Sequence, residues 1–267
     1  MTDIGVIPNL KNYNAAMERS VIDKIYFMDK IFGADTVVDF GCADGTLIAT
    51  LHRLFPDVRY AGFDISQEML DAAREKVPEG TLLTSDWNEI LEFIEGRSAA
   101  LVLSSVIHEV YSYGSANDVE EFWKRVWNGG FEYVAMRELA VSKTASRPSD
   151  PIAVARIRQI ENPERISQWE ARWGSLSENW SLVKFCLTYR YVENWEREMR
   201  ENYLPLSVEE LLALAPGNYF PTHFEHYTLP FLRRSVERDF GFSLSERTHA
   251  KIIFEKRQTA TATSKRR

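Results

Sequence analysis

One short segment of the sequence combines small residues and acids in a pattern that suits ligand binding by backbone atoms. Residues 37–45 read VVDFGCADG, a β-branched run that leads into a turn and then into a helical pattern. Glycine and alanine let the backbone come close to a ligand, and the N-terminus of the following helix supplies N–H groups for an anionic part of it. Asp39 is expected to hold this turn by hydrogen bonds, because a carboxylate buried at a strand end needs partners. Cys42 is expected to fill space within the turn.

Two further acids stand at the ends of the next strand patterns. Asp64 closes the run YAGFD, on the order of 20 residues beyond the glycine turn, where a carboxylate can accept hydrogen bonds from both hydroxyls of a ribose. Asp86 follows the third strand pattern, TLLTS. Either acid could instead be a solvated loop residue. Placement at a strand end favours ribose binding by Asp64, whereas Asp86 fits both interpretations equally.

A candidate pair for proton transfer follows the fourth strand pattern, AALVLSSVI, which leads directly into His108 and Glu109. A neutral imidazole is well suited to take a proton near pH 7, so His108 is the candidate proton acceptor. Glu109 could orient the ring or a substrate amine. Alternatively, His108 only hydrogen-bonds the neighbouring loop, and Tyr111 or Tyr113 takes the role or lines the pocket.

These residues require a scaffold in which strands and helices alternate along the chain. From residue 36 to about residue 138, short β-branched runs alternate with helical patterns, which predicts a parallel sheet built from βαβ units. Residues 144–202 break the alternation with a mostly helical segment rich in aromatic residues, which we interpret as an insertion. A helix, a strand, a second helix and a last strand, THAKIIFE, follow it. Residues 17–32 predict a helix that packs on the sheet or covers the ligand site.

The glycine turn resembles the first motif of the S-adenosylmethionine-dependent methyltransferases with a seven-stranded sheet. Its spacing is D-x-G-x-A-x-G, with Ala43 where that family has its central glycine. A dinucleotide-binding turn would read G-x-G-x-x-G, whereas the residues from Gly41 onward read GCADGT. The resemblance continues through the next two strand ends and residues 104–110. It covers roughly residues 36–140 and 206–255.

This resemblance implies the fold and the organisation of the chain. The fold class is α/β, a Rossmann-like three-layer sandwich with a mostly parallel seven-stranded sheet, an antiparallel last strand at the sheet edge, and a helical insertion. The methyltransferase domain would span residues 36–255, and the insertion at about 144–202 would form a helical cap over the cofactor mouth. A helical segment at 1–35 would precede the domain, and a basic, disordered tail at 256–267 would follow it.

The resemblance also implies S-adenosyl-L-methionine as the cofactor. In the resembled family the acid at Asp64 binds the adenosine ribose and the acid at Asp86 binds the adenine amino group, with Trp87 offering an apolar face to the ring. Residues 104–110 match the motif where cofactor and substrate meet, which makes His108 and Glu109 the candidate catalytic pair. The predicted cofactor-binding residues are Asp39, Gly41, Cys42, Ala43, Gly45, Asp64, Ile65, Asp86, Trp87 and Ser104.

The activity implied is transfer of a methyl group to an oxygen or nitrogen nucleophile, here of a small molecule. Because a sulfonium methyl is electrophilic, the protein needs to align the nucleophile and accept its proton, and no metal is required. His223 and His226 lack an acid or cysteine at ligand spacing, which argues against a metal site. Three alternatives stay open: an NAD-dependent oxidoreductase or epimerase using Asp64 on the ribose, a methyltransferase acting on nucleic acid, and a non-catalytic nucleotide-binding module.

The charge pattern disfavours a nucleic-acid acceptor. The chain has a net charge of −7, and its last twelve residues carry five Lys or Arg and no acid, so the rest stands at −12. Such a body is a poor platform for binding a duplex. Four arginines in the insertion lie at near-helical spacing, but interleaved acids favour ion pairs on a solvated helix. These residues are Arg156, Arg158, Arg165 and Arg172, with Glu161, Glu164 and Glu170.

Composition narrows the class of protein further. Of 267 residues, 45% are hydrophobic and 27% are charged, which is typical of a globular protein. No stretch approaches the roughly 20 apolar residues of a membrane-spanning helix, and the first residues do not resemble a signal peptide. We therefore expect a cytoplasmic protein. Cys42 and Cys186 are the two cysteines, too few for a disulfide framework or a Cys-rich metal site.

Overall fold

A seven-stranded mixed sheet forms the centre of the protein, whose structure is a computed structural model that describes residues 21–257. The strands are Thr36–Phe40 (β1), Arg59–Phe63 (β2), Leu82–Thr84 (β3), Ala99–Ser104 (β4), Tyr133–Leu139 (β5), Tyr219–Tyr227 (β6) and His249–Lys256 (β7). They lie in the order β3-β2-β1-β4-β5-β7-β6. β1 to β5 run parallel, and β7 runs antiparallel to β5 and β6. The sequence predicts β7 at the sheet edge, but β6 pairs along its outer side and forms the edge instead.

Helices connect the strands and begin where the sequence places capping residues. Ser66 accepts a hydrogen bond from Met69 N at 3.4 Å, as its predicted N-cap role requires. Ser115 and Asp118 form a capping box. The α-helices of the described residues are Val21–Lys24 (α1), Thr46–Leu54 (α2), Gln67–Arg74 (α3), Trp87–Ile94 (α4), Ile107–Tyr113 (α5), Ala116–Asn128 (α6), Pro151–Ile160 (α7), Pro163–Trp173 (α8), Asn179–Thr188 (α9), Trp195–Glu198 (α10), Val208–Ala213 (α11) and Pro230–Phe240 (α12).

The sheet separates two apolar cores, which gives the predicted three layers. Val38 belongs to the core that includes residues of α4 and α6, whereas its neighbour Val37 belongs to the core that includes residues of α2 and α3. The carboxyl ends of β1, β2 and β4 lie side by side, because Phe40 pairs with Phe63 on one side and with Leu103 on the other. The turns that follow these three strands therefore meet at one edge of the sheet.

The helices from α7 to α10 build a further apolar core beside the sheet. Trp169 is fully buried in this core and donates from Nε1 to Ser181 Oγ at 3.0 Å, so its role is packing. Leu232 and Val236 of α12 belong to the same core. The insertion and the helix that returns to the sheet thus share one interior.

Two of the four arginines, Arg158 and Arg165, pair with acids of the insertion, as the interleaved charges predict. Arg158 Nη2 lies 2.5 Å from Glu170 Oε1, and Arg165 Nη1 lies 2.9 Å from Glu161 Oε1. The second pair is largely buried rather than solvated, because the Arg165 guanidinium also packs 4.1 Å from the Trp195 ring centroid. These arginines are engaged within the fold.

The ends of the chain depart in part from the sequence-based expectations. Of the helix predicted at 17–32, the described residues form α1 and then a series of turns, in which Phe27 and Ile31 are buried against the sheet. Residues 17–20 lie outside the described residues, as do residues 258–267 of the predicted tail. Lys256 belongs to β7 rather than to that tail.

Candidate functional site

The glycine turn after β1 requires small residues because of its backbone conformation and its close packing against two valines. Gly41, Ala43 and Gly45 have φ angles of 74°, 46° and 73°, in the left-handed region. A Cβ at Gly41 would lie 2.7 Å from Val106 Cγ2, and one at Gly45 would lie 2.7 Å from Val77 Cγ1. The close contacts with Val106 and Val77 therefore require glycine at these two positions, whether or not a ligand approaches the turn.

Asp64 holds the glycine turn from the end of β2. Its Oδ2 accepts a hydrogen bond from Ala43 N at 2.9 Å, and its Oδ1 accepts one from Ser66 N at 2.9 Å. Burial raises the pKa of Asp64, and these two N–H groups counteract that rise. The sequence assigned the orienting role to Asp39, so Asp64 has a structural duty that the sequence did not reveal. Ile65 beside it is 46% exposed and leaves an apolar surface at the same strand end.

A cavity opens beside this turn at the carboxyl ends of β1 and β4. Burial raises the pKa of Asp39 in its wall to about 7. Within residues 21–257, Ser104 Oγ is buried without a hydrogen-bond partner. A polar ligand would give Ser104 Oγ a hydrogen-bond partner, which fits the cofactor role predicted for this residue. The cavity is lined by Val21, Lys24, Asp39, Gly41, Cys42, Asp44, Thr46, Leu47 and Ser104.

Two predicted cofactor residues after β3 have structural duties. Asp86 is the N-cap of α4, where its Oδ1 accepts from Asn88 N at 2.9 Å. The Trp87 indole packs in the core, 5.5 Å from the Phe40 ring centroid and 5.4 Å from that of Phe63. Trp87 is 9% exposed and packs in the core, and its contact with the adenine ring stays a prediction.

His108 is buried in an ion pair that the sequence analysis missed. It lies in the first turn of α5, and its Nδ1 is 2.7 Å from Glu138 Oε1. Glu138 also accepts from Ile107 N at 2.7 Å and from Leu139 N at 2.8 Å. Burial alone would raise the pKa of Glu138, but His108 and these amides outweigh burial and lower it. The site is therefore built on a carboxylate that stays ionised.

The same pair determines the charge of His108. Burial alone would lower the pKa of this imidazole, but the Glu138 carboxylate outweighs burial and raises the pKa to about 9. The expectation of a neutral imidazole near pH 7 is thus corrected, because the ring is cationic there. A signal for Glu138 existed in the sequence, since an acid near the end of β5 must lie beside the end of β4 in a parallel sheet.

A polar segment of the insertion closes over α5. Tyr113 OH donates to Glu201 Oε1 at 2.9 Å, and Arg197 Nη2 lies 2.9 Å from the same carboxylate oxygen and 3.7 Å from Glu109 Oε1. The Tyr203 ring meets the His108 ring edge-on at 5.2 Å. The insertion therefore contacts the predicted catalytic pair, whereas the described lining of the cofactor cavity comes from α1 and the sheet turns.

Neither metal ligation nor a membrane span emerges from the described part of the chain. His226 Nε2 lies 3.2 Å from Ala140 O, and His223 packs 5.7 Å from the Tyr26 ring centroid. Residues 21–257 contain no group of three or more His, Cys, Asp or Glu side chains placed to hold a metal ion. No helix among them is long and apolar enough to cross a bilayer.

Comparisons of the sequence with known proteins point to one family. Residues 37–130 match the family model described as "Methyltransferase domain". Over 50 residues the chain is 40% identical to trans-aconitate 2-methyltransferase of Yersinia pestis (strain Pestoides F), which is 19% of each chain. Over 53 residues it is 42% identical to the protein of the same name from Azoarcus sp. (strain BH72), which is 20% of this chain and 21% of the relative. The chain thus spans about a fifth of the length of the curated relatives it matches.

The fold is also that of solved structures with little sequence identity. The pyocyanin biosynthetic protein PhzM aligns with a TM-score of 0.52 and 15% identity, over 94% of this chain and 59% of PhzM. TnmH aligns with a TM-score of 0.50 and 13% identity, over 94% of this chain and 59% of TnmH. At these identities the likeness concerns the fold alone, and the predicted fold class is confirmed.

Proposed function

We propose that this protein, whose residues 37–130 match the methyltransferase-domain family model, is an S-adenosyl-L-methionine-dependent methyltransferase acting in the cytoplasm on an oxygen or nitrogen nucleophile of a small molecule. The observation that carries the proposal is the glycine turn, which Asp64 holds beside the cavity of Asp39 and Ser104. Both cysteines are free and buried, which suits a reducing compartment.

The residues around the turn would hold the cofactor. The Asp64 carboxylate keeps lone pairs for ribose hydroxyls beyond its two amide contacts, and exposed Ile65 offers an apolar surface next to it. Ser104 Oγ and the Asp39 carboxyl would take polar groups of the same ligand. The bound cofactor supplies an electrophilic methyl group, so the chain has to orient an acceptor and remove a proton.

Glu109 suits the proton transfer better than His108 does. Partial burial, supported by nearby Glu201, raises the pKa of Glu109 to about 7 although His108 and Arg197 oppose the rise, so the carboxyl is poised at neutral pH. Its side chain is 31% exposed, whereas that of His108 is 6% exposed. We therefore assign proton acceptance to Glu109, with cationic His108 orienting the start of α5 through Glu138.

The acids near His108 do not fix the charge of the acceptor. Glu201 is buried and pairs with Arg197 Nη2 at 2.9 Å, and buried Glu198 accepts a hydrogen bond from Tyr203 OH. These two carboxylates are engaged within the fold, and Arg197 and cationic His108 lie beside them. The named substrate of the Yersinia and Azoarcus relatives does not transfer by itself, since the alignment covers a fifth of each chain.

Calorimetry separates this proposal from its alternatives. We expect micromolar binding of S-adenosyl-L-methionine and of its demethylated product, and no binding of NAD. Binding of NAD alone would favour an oxidoreductase or epimerase instead. Binding of the cofactor without turnover in a labelled-methyl screen of cell metabolites and RNA would favour a non-catalytic module, and labelled RNA would favour a nucleic-acid methyltransferase.

Once an acceptor is known, Glu109→Gln tests the proton transfer. We expect methyl transfer to fall by about 10²–10⁴-fold with cofactor affinity retained, which is the usual contribution of a general base. Glu89→Gln is the matched control, because Glu89 is an exposed acid in the first turn of α4. If Glu109→Gln transfers methyl groups as fast as the parent, Glu109 is not the general base, and the protein acts by aligning the acceptor with the methyl group.

A further inference from the structure

The first described helix forms one wall of the candidate cofactor cavity. Val21 and Lys24 of α1 line the cavity together with Asp39 and Gly41 of the sheet. Lys24 is 5% exposed, and Arg137, Asp39, Glu138 and Glu109 are among the charged groups that act on it. The position of α1 therefore decides how open the cavity is.

Asp23, between these two residues, receives donors from three strands of the sheet. Arg137 Nε of β5 donates to Asp23 Oδ2 at 2.9 Å, and Tyr227 OH of β6 donates to the same oxygen at 2.5 Å. Lys251 Nζ of β7 lies 2.7 Å from Asp23 Oδ1. Arg137 and Lys251 are both buried, so the carboxylate compensates two charges that lie away from water. We call Asp23 with these three partners the latch.

The chain after α1 is anchored independently of the latch. Tyr26 OH donates to Met136 O at 2.7 Å and to Ile252 O at 3.0 Å, and Phe27 is fully buried. Within α1, Ile22 is 80% exposed, whereas Val21 packs against the core that holds Phe27. The contacts of Asp23 add polar bonds between this segment and the sheet. The anchored turn can thus stay in position while α1 moves.

The latch also reaches the turn after β4. Arg137 Nη1 donates to Ser105 Oγ at 2.7 Å, and Ser105 N donates to Arg137 O at 2.8 Å. Ser105 has a φ of 59°, a left-handed conformation that a serine rarely adopts without support. Its neighbour Ser104 lines the cavity. One guanidinium therefore connects α1 with the turn that shapes the far wall of the cavity.

We propose that Asp23 is a positioning residue, which holds α1 against the cavity through Arg137, Tyr227 and Lys251 so that opening of the latch controls how fast the cofactor enters and leaves. The inference rests on the proposed function, because it concerns the same cavity. It makes α1 a gate with an identified closing contact.

Dissociation of S-adenosyl-L-homocysteine from the immobilised full chain tests the latch. In Asp23→Asn we expect dissociation to be about tenfold faster than in the parent, since weaker charge pairing favours the open state. Asp29→Asn is the matched control, because Asp29 pairs with its neighbour Lys30 while 77% exposed, and its dissociation rate should equal that of the parent. Tyr227→Phe removes one donor without leaving a charge unpaired, so it keeps the test available if Asp23→Asn fails to fold.

Two outcomes would overturn the latch, and neither coincides with failure of the proposed function. Parental dissociation rates in Tyr227→Phe and in folded Asp23→Asn would show that α1 does not gate the cavity. If the parent binds neither the methyl donor nor its product, the proposed function fails, and hydrogen exchange decides the latch alone. The Ile25 amide bonds to Val21 O at 3.2 Å. It should exchange faster in Asp23→Asn than in Asp29→Asn, and equal exchange contradicts the latch.

Discussion

Gly41 and Ala43 adopt left-handed conformations in the same turn, yet they respond to different constraints. Gly41→Ala places a Cβ 2.7 Å from Val106 Cγ2 at a φ of 74°. We expect a loss of about 2–5 kcal/mol, from overpacking and backbone strain together. Ala43 already has a Cβ at a φ of 46°, so Ala43→Gly should change stability by no more than about 1 kcal/mol. Urea unfolding measures both variants. Equal losses in the two would mean that the overlap with Val106 is not the cause.

The charge of His108 gives a pH-dependent prediction. Its pKa is about 9 in the folded protein against an ordinary value of 6.5. The pairing therefore stabilises the fold fully below pH 6.5 and is lost as the pH rises through 9. In Glu138→Gln the carboxylate is gone while burial remains, so the pKa of His108 should fall from about 9, with Glu109 and Glu201 still opposing burial. NMR titration of the imidazole measures this directly. A His108 pKa near 9 in Glu138→Gln would assign the shift to another acid. Glu132→Gln is the control, because Glu132 precedes β5 at the strand end opposite to Glu138.

At the residue scale the sequence supplied the positions of the site but not all its partners. Asp64 and Ser104 fall where strand-end logic places them, because parallel strands bring their carboxyl ends to one edge. The pairing of His108 with Glu138 depends on two residues 30 positions apart. Local patterns do not encode such a contact, and the burial that sets the protonation of His108 follows only from the assembled fold.

At the scale of elements, Ser112 adds a hydrogen-bonded link between α5 and the insertion to the contacts of Tyr113 and Glu109. Ser112 Oγ accepts from Asn202 N at 2.7 Å and donates to His108 O at 2.6 Å. Ser112→Ala should cost about 0.5–1.5 kcal/mol and loosen the insertion over α5. Hydrogen exchange at Asn202 should accelerate while cofactor affinity stays parental. Ser243→Ala, which removes an exposed bond to Glu237, should leave Asn202 unchanged. Unaltered exchange in Ser112→Ala would mean that other contacts hold the segment.

The elements themselves were largely predictable, and their packing was not. The alternation of β-branched runs and helical patterns locates β1 to β5, and β1, β2, β4 and β5 are buried on both faces. The sequence shows that the insertion is helical, but it does not show that the insertion packs against α12. Because Leu232 and Val236 of α12 lie in its core, deleting residues 144–202 would expose that helix. We therefore expect such a deletion to abolish folding rather than spare cofactor binding.

At the scale of the whole molecule, the site lies where three separately packed parts meet. The sheet contributes the glycine turn and Asp64, α1 closes the cavity, and the insertion reaches α5 through contacts such as Tyr113 to Glu201, 88 residues apart. The alternation of strand and helix patterns in the sequence predicts the sheet, with the glycine turn and Asp64 at its edge. The other two contributions depend on long-range contacts, which is why Lys24 and Glu201 were found only in the structure. Ligand binding should accordingly stabilise the molecule as a unit.

Thermal unfolding with and without ligand tests that coupling and ranks the two acids. A ligand that binds only the folded state at about 100 times its Kd adds about 2.7 kcal/mol, so S-adenosyl-L-homocysteine should raise the parental Tm by several degrees. In Asp64→Ala the affinity should fall by about 1.5–3 kcal/mol, the scale of hydrogen bonds to a charged group, and most of the Tm rise should vanish. Asp86→Ala removes the N-cap of α4 and should lower the Tm of the free protein, at a cost of about 0.5–2 kcal/mol. If the ligand raises the Tm of Asp86→Ala as much as that of the parent, Asp86 is a capping residue alone, whereas a smaller increase would assign it to the cofactor site. If the ligand raises the Tm of Asp64→Ala as much as that of the parent, Asp64 does not belong to that site.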